Sequence, residues 1–406
     1  MYLLLIFLWC FVQWVNPVFG TDNVHIIPLH SYRTSSSLSS SRRSSKLAQE
    51  DNHKQSDGLI ASLLSKESSD ENTKGVATLE SDNDVLWYTI LEVGTGERRQ
   101  QFTVDVDTGS ADLFLPGTDC DDSCDGHGRY DPKHSSTSED TSQPFELNFA
   151  DKTSVKGTIY TDTVSLGGLE VNHQGFGVAE LYSRGMEKDI FRPDGLLGLG
   201  FKQLSHLGTE PLLDNLYKQG KIKQRAFGIR LDMTSEGEKG ELTLGGYNEH
   251  HIDGPIAHAS VTSDTFWQIQ LDSVSLNSQV IGTKQQMIVD TGSTLINADP
   301  IFVKKFYSKV KGARRPSKGG HWIMPCANIP TIEFTISGIQ FPISPYTFSP
   351  GRVDEGSDLC YGGMVANSKR NDPWIVGGVF LANVYAIFDA DKKTIGFSRL
   401  KNQNQV

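Results

Sequence analysis

The sequence predicts an all-β protein built as two related lobes, with a few small helices. Three observations predict it. From Val85 onward the chain breaks into short apolar runs separated by turn residues, the texture of strands. Asp107-Thr108-Gly109-Ser110 recurs 183 positions later as Asp290-Thr291-Gly292-Ser293. Each copy also sits in matched surroundings. An apolar run precedes it (Phe102 to Val106, Met287 to Val289), and two aliphatics and a glycine come after it (Leu196-Leu197-Gly198, Ile375-Val376-Gly377). The two glycines lie 91 and 87 positions beyond their aspartates. A four-residue match is weak evidence alone; the repeated context reads as a duplicated half-protein.

Taken in order, the chain opens with an almost wholly apolar run from Tyr2 to Val15. It falls short of the roughly 20 residues a bilayer-spanning helix needs. Val18 and Gly20 fit a small-residue cleavage rule, so residues 1–20 read as a secretory signal peptide, although it lacks a basic start. Residues 21–80 differ in texture: nine of the fifteen residues from Ser31 to Ser45 are serine, and the stretch from Lys46 to Asp84 is polar and charged. A disordered linker is the plain reading. A pro-segment removed on activation is the functional one, with Arg42-Arg43 as a dibasic cleavage point and Lys46, Lys54, Lys66 or Lys74 available to neutralise an acidic site.

Strands are then predicted at Leu86 to Leu91, Phe102 to Asp107, Ala226 to Leu231, Glu241 to Leu244, Phe266 to Leu271, Thr331 to Ile336 and Val384 to Asp389. Glu146 to Phe149 and Ser154 to Tyr160 read as a hairpin with a polar tip. Helices are predicted only at Glu210 to Gln219 and Pro300 to Val310, each opening near Pro or Asp. The lobes are assigned to residues 81–250 and 251–406. The polar C-terminus, Lys401 to Val406, argues against a lipid-anchor tail.

The net charge of −11 argues against nucleic acid as a partner, since a phosphate binder needs a basic surface. Five cysteines are present; with Cys10 in the apolar leader, four remain and allow three pairings. The sequence-local pairing, Cys120 with Cys124 and Cys326 with Cys360, puts one bridge in each half and is preferred. A zinc site lacks the paired spacing it would need, and no metal is expected. Asp121, Asp122 and Asp125 lack the ligand spacing of a calcium loop and read as a solvated disulfide loop. His250-His251 reads as a surface turn, and Lys311-Gly312-Ala313-Arg314-Arg315 as a basic, flexible loop open to proteolytic nicking.

The duplicated motif carries the chemistry. If the halves pack about a pseudo-twofold axis, Asp107 and Asp290 become neighbours. Two close carboxylates cannot both ionise easily and hold one proton over a wide pH range. The ionised member can take a proton from water while the protonated one donates to a substrate oxygen, without metal, cofactor or covalent intermediate. Gly109 and Gly292 let backbone approach the carboxyls. Thr108 and Thr291 can bond across the axis, and Ser110 and Ser293 can each bond the outer oxygen of their own aspartate. Asp105, ahead of Val106, reads as an ordinary strand side chain.

These motifs resemble the pepsin-like family of aspartic endopeptidases. So do Tyr130-Asp131-Pro132, Asp194 to Gly200, Gly245-Gly246 and Trp374 to Phe380. The likeness covers about residues 81 to 400. It implies the bilobal pepsin-like acid protease fold, a cleft between the lobes, a monomer made as a zymogen with its own pro-segment, and protein or peptide substrates cut at acidic pH. It also implies secretion or delivery to a vacuole, and a disulfide in each lobe. Two departures stand out. The family's flap tyrosine and following glycine are Phe149 and Ala150 here, and the tryptophan that usually partners that tyrosine is Phe114. The losses agree, since two phenyl rings can pack without a hydroxyl to satisfy. Asp151 sits where some fungal members carry an aspartate thought to accept a substrate lysine. The competing class is an inactive binding or inhibitor protein on the same fold, favoured only by the altered flap. A two-carboxylate glycosidase would need a sugar-binding aromatic platform, and none is legible.

Overall fold

The computed structural model describes residues 24–33, 85–96, 99–234, 237–316, 320–367 and 370–401. The predicted signal peptide, Arg42-Arg43 and the four lysines Lys46, Lys54, Lys66 and Lys74 lie outside the described residues. Among the described residues no helix is long and apolar enough to cross a membrane.

The first half supplies β1 (His25–Arg33), β2 (Val85–Val93), β3 (Gln100–Asp107), β4 (Leu113–Pro116), β5 (Glu139–Asn148), β6 (Ser154–Leu166), β7 (Leu169–Tyr182) and β8 (Gly195–Gly198). Helix α1 (Leu212–Lys218) leads to β9 (Ala226–Thr234) and β10 (Gly237–Leu244). The second half supplies β11 (Ile252–Ser260), β12 (Gln268–Leu276), β13 (Gln279–Val289), β14 (Ile296–Ala298), α2 (Pro300–Ser308), β15 (Ile323–Pro325), β16 (Ile332–Ile336) and β17 (Ile339–Ile343). After α3 (Pro345–Phe348) come β18 (Leu359–Tyr361), β19 (Met364–Ala366), β20 (Trp374–Val376), α4 (Gly378–Leu381), β21 (Val384–Asp389) and β22 (Thr394–Leu400).

Thirteen strands form one sheet in the order β11-β22-β21-β9-β10-β1-β2-β3-β8-β4-β7-β6-β5, and seven form another in the order β17-β16-β12-β13-β20-β14-β19. Strands from both ends of the chain thus meet in the larger sheet. Trp267, 1% exposed, closes the seam between halves: its indole N–H donates to the Leu199 carbonyl at 2.9 Å and its ring packs on Phe201 and Phe227. The all-β, two-lobed prediction holds, and every predicted strand is present.

Differences in extent have local causes. The strand predicted from Phe266 begins at Gln268 because the Ser263 hydroxyl accepts from the N–H groups of Thr265 and Phe266, closing a turn. Helix α1 is shorter than predicted: Pro211 caps it, and the Glu210 carboxylate pairs with Lys202 and Lys218 instead of joining the helix. Helix α2 starts as expected, at Pro300 behind an Asp299 side chain that accepts from the N–H groups of Ile301 and Phe302. It ends two residues early, where Lys309 caps it. Both predicted disulfides form, with Cα separations of 6.0 Å for Cys120–Cys124 and 5.0 Å for Cys326–Cys360.

Strand β1 was not legible in the sequence, where its segment reads as part of a polar linker or pro-segment. It pairs with β10 through Leu29 and then with β2 from His30 onward. Alternation buries Ile27 and Leu29, each 2% exposed. Pro28 would be out of place inside a sheet, lacking an N–H. It is tolerated because at that position β1 bonds one neighbouring strand, and the Pro28 carbonyl still accepts from the Thr89 hydroxyl at 2.9 Å.

Candidate active site

The two Asp-Thr-Gly-Ser loops are held in matched frames. In the first half β3 runs parallel to β8, pairing Asp107 with Gly198, and β4 returns antiparallel on the far side of β8. In the second half β13 runs parallel to β20, pairing Val289 with Val376, and β14 returns antiparallel. The aliphatic-aliphatic-glycine elements are therefore the strands lying between the two arms of each loop. Their glycines are needed by proximity. A Cβ on Gly198 would fall 2.5 Å from the Asp112 nitrogen, and one on Gly377 would overlap the Ser293 carbonyl.

Threonines join the frames. The Thr108 N–H donates to the Thr291 hydroxyl oxygen at 3.0 Å, and the Thr291 N–H donates to that of Thr108 at 3.0 Å. Each hydroxyl then donates to a carbonyl of the opposite half, Thr108 to Val289 at 2.9 Å and Thr291 to Val106 at 2.6 Å. Both threonines are buried, at 0% and 1% exposure. Both N–H groups and both hydroxyls in this knot are satisfied, as donors in a dry interior must be.

The knot brings Asp107 and Asp290 together. The Gly109 N–H donates to Asp107 Oδ1 at 2.7 Å, and the Gly292 N–H to Asp290 Oδ1 at 3.0 Å. Each glycine also backs onto the opposite aspartate: a Cβ on Gly109 would lie 2.6 Å from Asp290 Oδ1, and one on Gly292 2.5 Å from Asp107 Oδ1. Burial first, then the neighbouring Asp107 carboxyl and its hydrogen bond, push the Asp290 carboxyl well above the usual carboxylate range. The Ser293 hydroxyl and the Gly292 N–H, which favour the ionised form, oppose this without overcoming it.

One expected symmetry fails. Ser293 donates to Asp290 Oδ2 at 2.7 Å, but the buried Ser110 hydroxyl has no hydrogen-bond partner among the described residues. Asp107 is engaged by the Gly109 N–H and by Asp290 instead.

A cavity of about 400 Å³ opens over the aspartates, walled by residues of both halves, including Phe114, Phe149, Asp151 and Phe266. The β5–β6 hairpin overhangs it. Phe149 packs on Phe114 with ring centroids 6.0 Å apart, and Phe114 meets Tyr182 edge-on at 5.9 Å. Ala150 and Asp151 form the hairpin tip; Asp151 Oδ1 accepts from the Thr153 N–H at 2.9 Å and the Thr153 hydroxyl at 2.7 Å. Asp105 needs a correction. It is a strand side chain, as the sequence implies, but it also lines the cavity and is 3% exposed. Two-residue alternation puts it on the face of Asp107, a signal present in the sequence. Leu86, Met186, Phe191 and His206 also line the cavity and carried no sequence signal.

Facing aspartates under a hairpin, at the joint of two duplicated β lobes, define the class as a two-aspartate protease fold. Residues 87–400 match the family model described as eukaryotic aspartyl protease. The chain is similar to an aspartic protease of Phaffia rhodozyma, 33% identical over 328 residues, 79% of this chain and 78% of that one. It is similar to pepsin A of Bos taurus, 31% identical over 337 residues (79% and 88%), and to pepsin A of Sus scrofa, 32% over 335 (80% and 84%). The chain belongs to the eukaryotic aspartyl protease family.

Proposed function

We propose that the protein is an aspartic endopeptidase that hydrolyses peptide bonds at acidic pH, using a water activated by Asp107 and Asp290. The observation that carries this reading is the facing carboxyl pair with the Asp290 carboxyl held protonated above the usual range. A water between the two carboxyls gives its proton to Asp107 as its oxygen attacks the peptide carbonyl. Asp290 gives its proton to the carbonyl oxygen, forming a neutral tetrahedral diol. Asp107 then gives its proton to the nitrogen, the C–N bond breaks to release the amine, and one diol hydroxyl returns its proton to Asp290 as the carbonyl re-forms, leaving a carboxylic acid product and one proton on the pair. Activity requires one proton on the pair, so it falls on the acid side as both carboxyls are protonated and on the alkaline side as both ionise. Proteins and peptides long enough to lie along the cleft are the substrates.

In this reading the chain is a zymogen, processed in the secretory pathway or a vacuole, and residues 21–80 are its pro-segment. Strand β1 supports that assignment: it ties the segment into the sheet that joins the halves. Pro-segment cations paired with site carboxylates would be released as acid protonates those carboxylates.

Denatured casein incubated across pH 3 to 7, with and without pepstatin, tests the reaction class. Cleavage confined to acid and blocked by pepstatin is expected. A folded sample freed of its pro-segment that cuts nothing at any pH would favour an inactive binding protein, the reading to which the apolar flap lends support. Asp151, on the cavity rim, is proposed to accept a substrate lysine. Asp151→Ala should lower kcat/KM for peptides cut after lysine by about 10-fold or more, the scale of one hydrogen bond to a charged group, and leave apolar sites nearly unchanged. Equal losses on both substrates would remove that role.

A further inference from the structure

Six cations crowd the twelve residues from Lys304 to Arg315, namely Lys304, Lys305, Lys309, Lys311, Arg314 and Arg315, and the segment contains no acidic residue. All six are exposed. Elsewhere on this acidic chain cations are commonly neutralised: Lys188 by Asp194, Lys202 and Lys218 by Glu210, Arg225 by Asp214 and Asp391, Lys392 by Asp389. None of the six forms an ion pair among the described residues. Two make neutral contacts only: Lys305 Nζ donates to the Ile281 carbonyl at 2.8 Å, and Arg315 Nε to the Gly320 carbonyl at 3.1 Å.

The fold confines these charges to one outer corner. Helix α2 buries Phe302, Val303, Phe306 and Tyr307 and turns Lys304 and Lys305 outward, beside Ile301. The Lys305 bond to Ile281 sets the start of β13 alongside, with Val280. Ile301 and Val280 are 53% and 55% exposed, among the most exposed large apolar side chains of the described residues. None of the six cations lines the cavity over the aspartates.

We propose that this corner is a docking surface for anionic membranes, the cations meeting lipid headgroups while Ile301 and Val280 enter the interface. Charge complementarity names the partner's sign. The net charge of −11 means that attraction to an anionic surface is local to this corner. Two apolar side chains beside the lysines favour a lipid surface over a soluble polyanion, which offers them nothing.

Sedimentation of the chain without its apolar leader, residues 21–406, with vesicles tests it. Binding is expected to phosphatidylcholine vesicles containing about a third phosphatidylserine in dilute salt, not to phosphatidylcholine alone, with release in strong salt as the screening length shortens. Combining Lys304→Gln, Lys309→Gln, Lys311→Gln and Arg314→Gln should lower the partition coefficient on the order of 10²- to 10³-fold, about fivefold per charge. The melting temperature should hold, since all four side chains are exposed and form no ion pair among the described residues. Val280→Ser with Ile301→Ser should weaken vesicle binding several-fold and leave retention on immobilised heparin unchanged. Failure to bind phosphatidylserine vesicles overturns the proposal, as does undiminished binding by the four-charge variant. Retention on heparin without vesicle binding would assign the corner to a soluble polyanion instead.

Discussion

Asp290→Asn should abolish proteolysis, lowering kcat/KM by about 10⁴-fold, while making the protein more stable at neutral pH. The loss follows from the chemistry. An amide cannot hand a proton to the carbonyl oxygen, and general acid–base catalysis contributes up to about 10⁴-fold. The gain follows from the environment of the carboxyl it replaces. Burial and the neighbouring Asp107 hold the Asp290 carboxyl above the usual range in the folded chain. In the unfolded chain it ionises near the ordinary value of about 3.9. As pH rises past that value the unfolded state loses its proton first, so stability falls until the folded group ionises as well. Asparagine has no such proton. The melting temperature of the variant should therefore match the parent's near pH 3 and exceed it at pH 7. Turnover within tenfold of the parent would discard the dyad mechanism. Identical melting curves at pH 7 would discard the assignment of the raised carboxyl to Asp290.

Gly292→Ala should lower kcat/KM by about 10²-fold without touching an ionisable group. The added methyl would lie 2.5 Å from Asp107 Oδ1 and 2.7 Å from its carboxyl carbon, so the two aspartates cannot keep their spacing. Gly292 does not have a positive φ, so alanine meets no backbone penalty there and the effect isolates contact. A displacement near 1 Å at a reacting centre costs about 10²-fold. Overpacking should also cost about 1–3 kcal/mol of stability. The measurement is kcat/KM beside thermal melting; near-parental activity would mean that the aspartates are not held as tightly as the crossed threonine bonds imply. Gly109→Ala probes the mirror contact, 2.6 Å from Asp290 Oδ1.

Much of this arrangement was legible because duplication leaves a long-range signal. Two motifs in matched contexts identify the residues that meet, even though nothing local says that they are close. The duplicated glycines mark the loop frames from sequence alone. The same symmetry misleads at Ser110, whose hydroxyl does not repeat the bond that Ser293 makes. Strand β1 stays hidden because Pro28 and the serine-rich stretch after it outweigh five alternating positions. Asp105 is more than a strand side chain: its alternation with Asp107 also puts it on the cleft face. The wall of the cavity, drawn from residues as distant as Leu86 and Phe266, depends on packing that no sequence period encodes.

The crossed threonine bonds give the molecule the character of a tethered dimer. Each half carries a loop whose donors and acceptors are completed by the other half. Neither, taken alone, has a finished site or a dry resting state for its own threonine. The surfaces of the lobes are consequently free to diverge, and they have: one bears the overhanging hairpin, the other the cationic corner. The pair must keep in common only the small patch of backbone where they clasp. Change there is felt by both halves at once, so a substitution in either loop behaves as a lesion of the whole molecule.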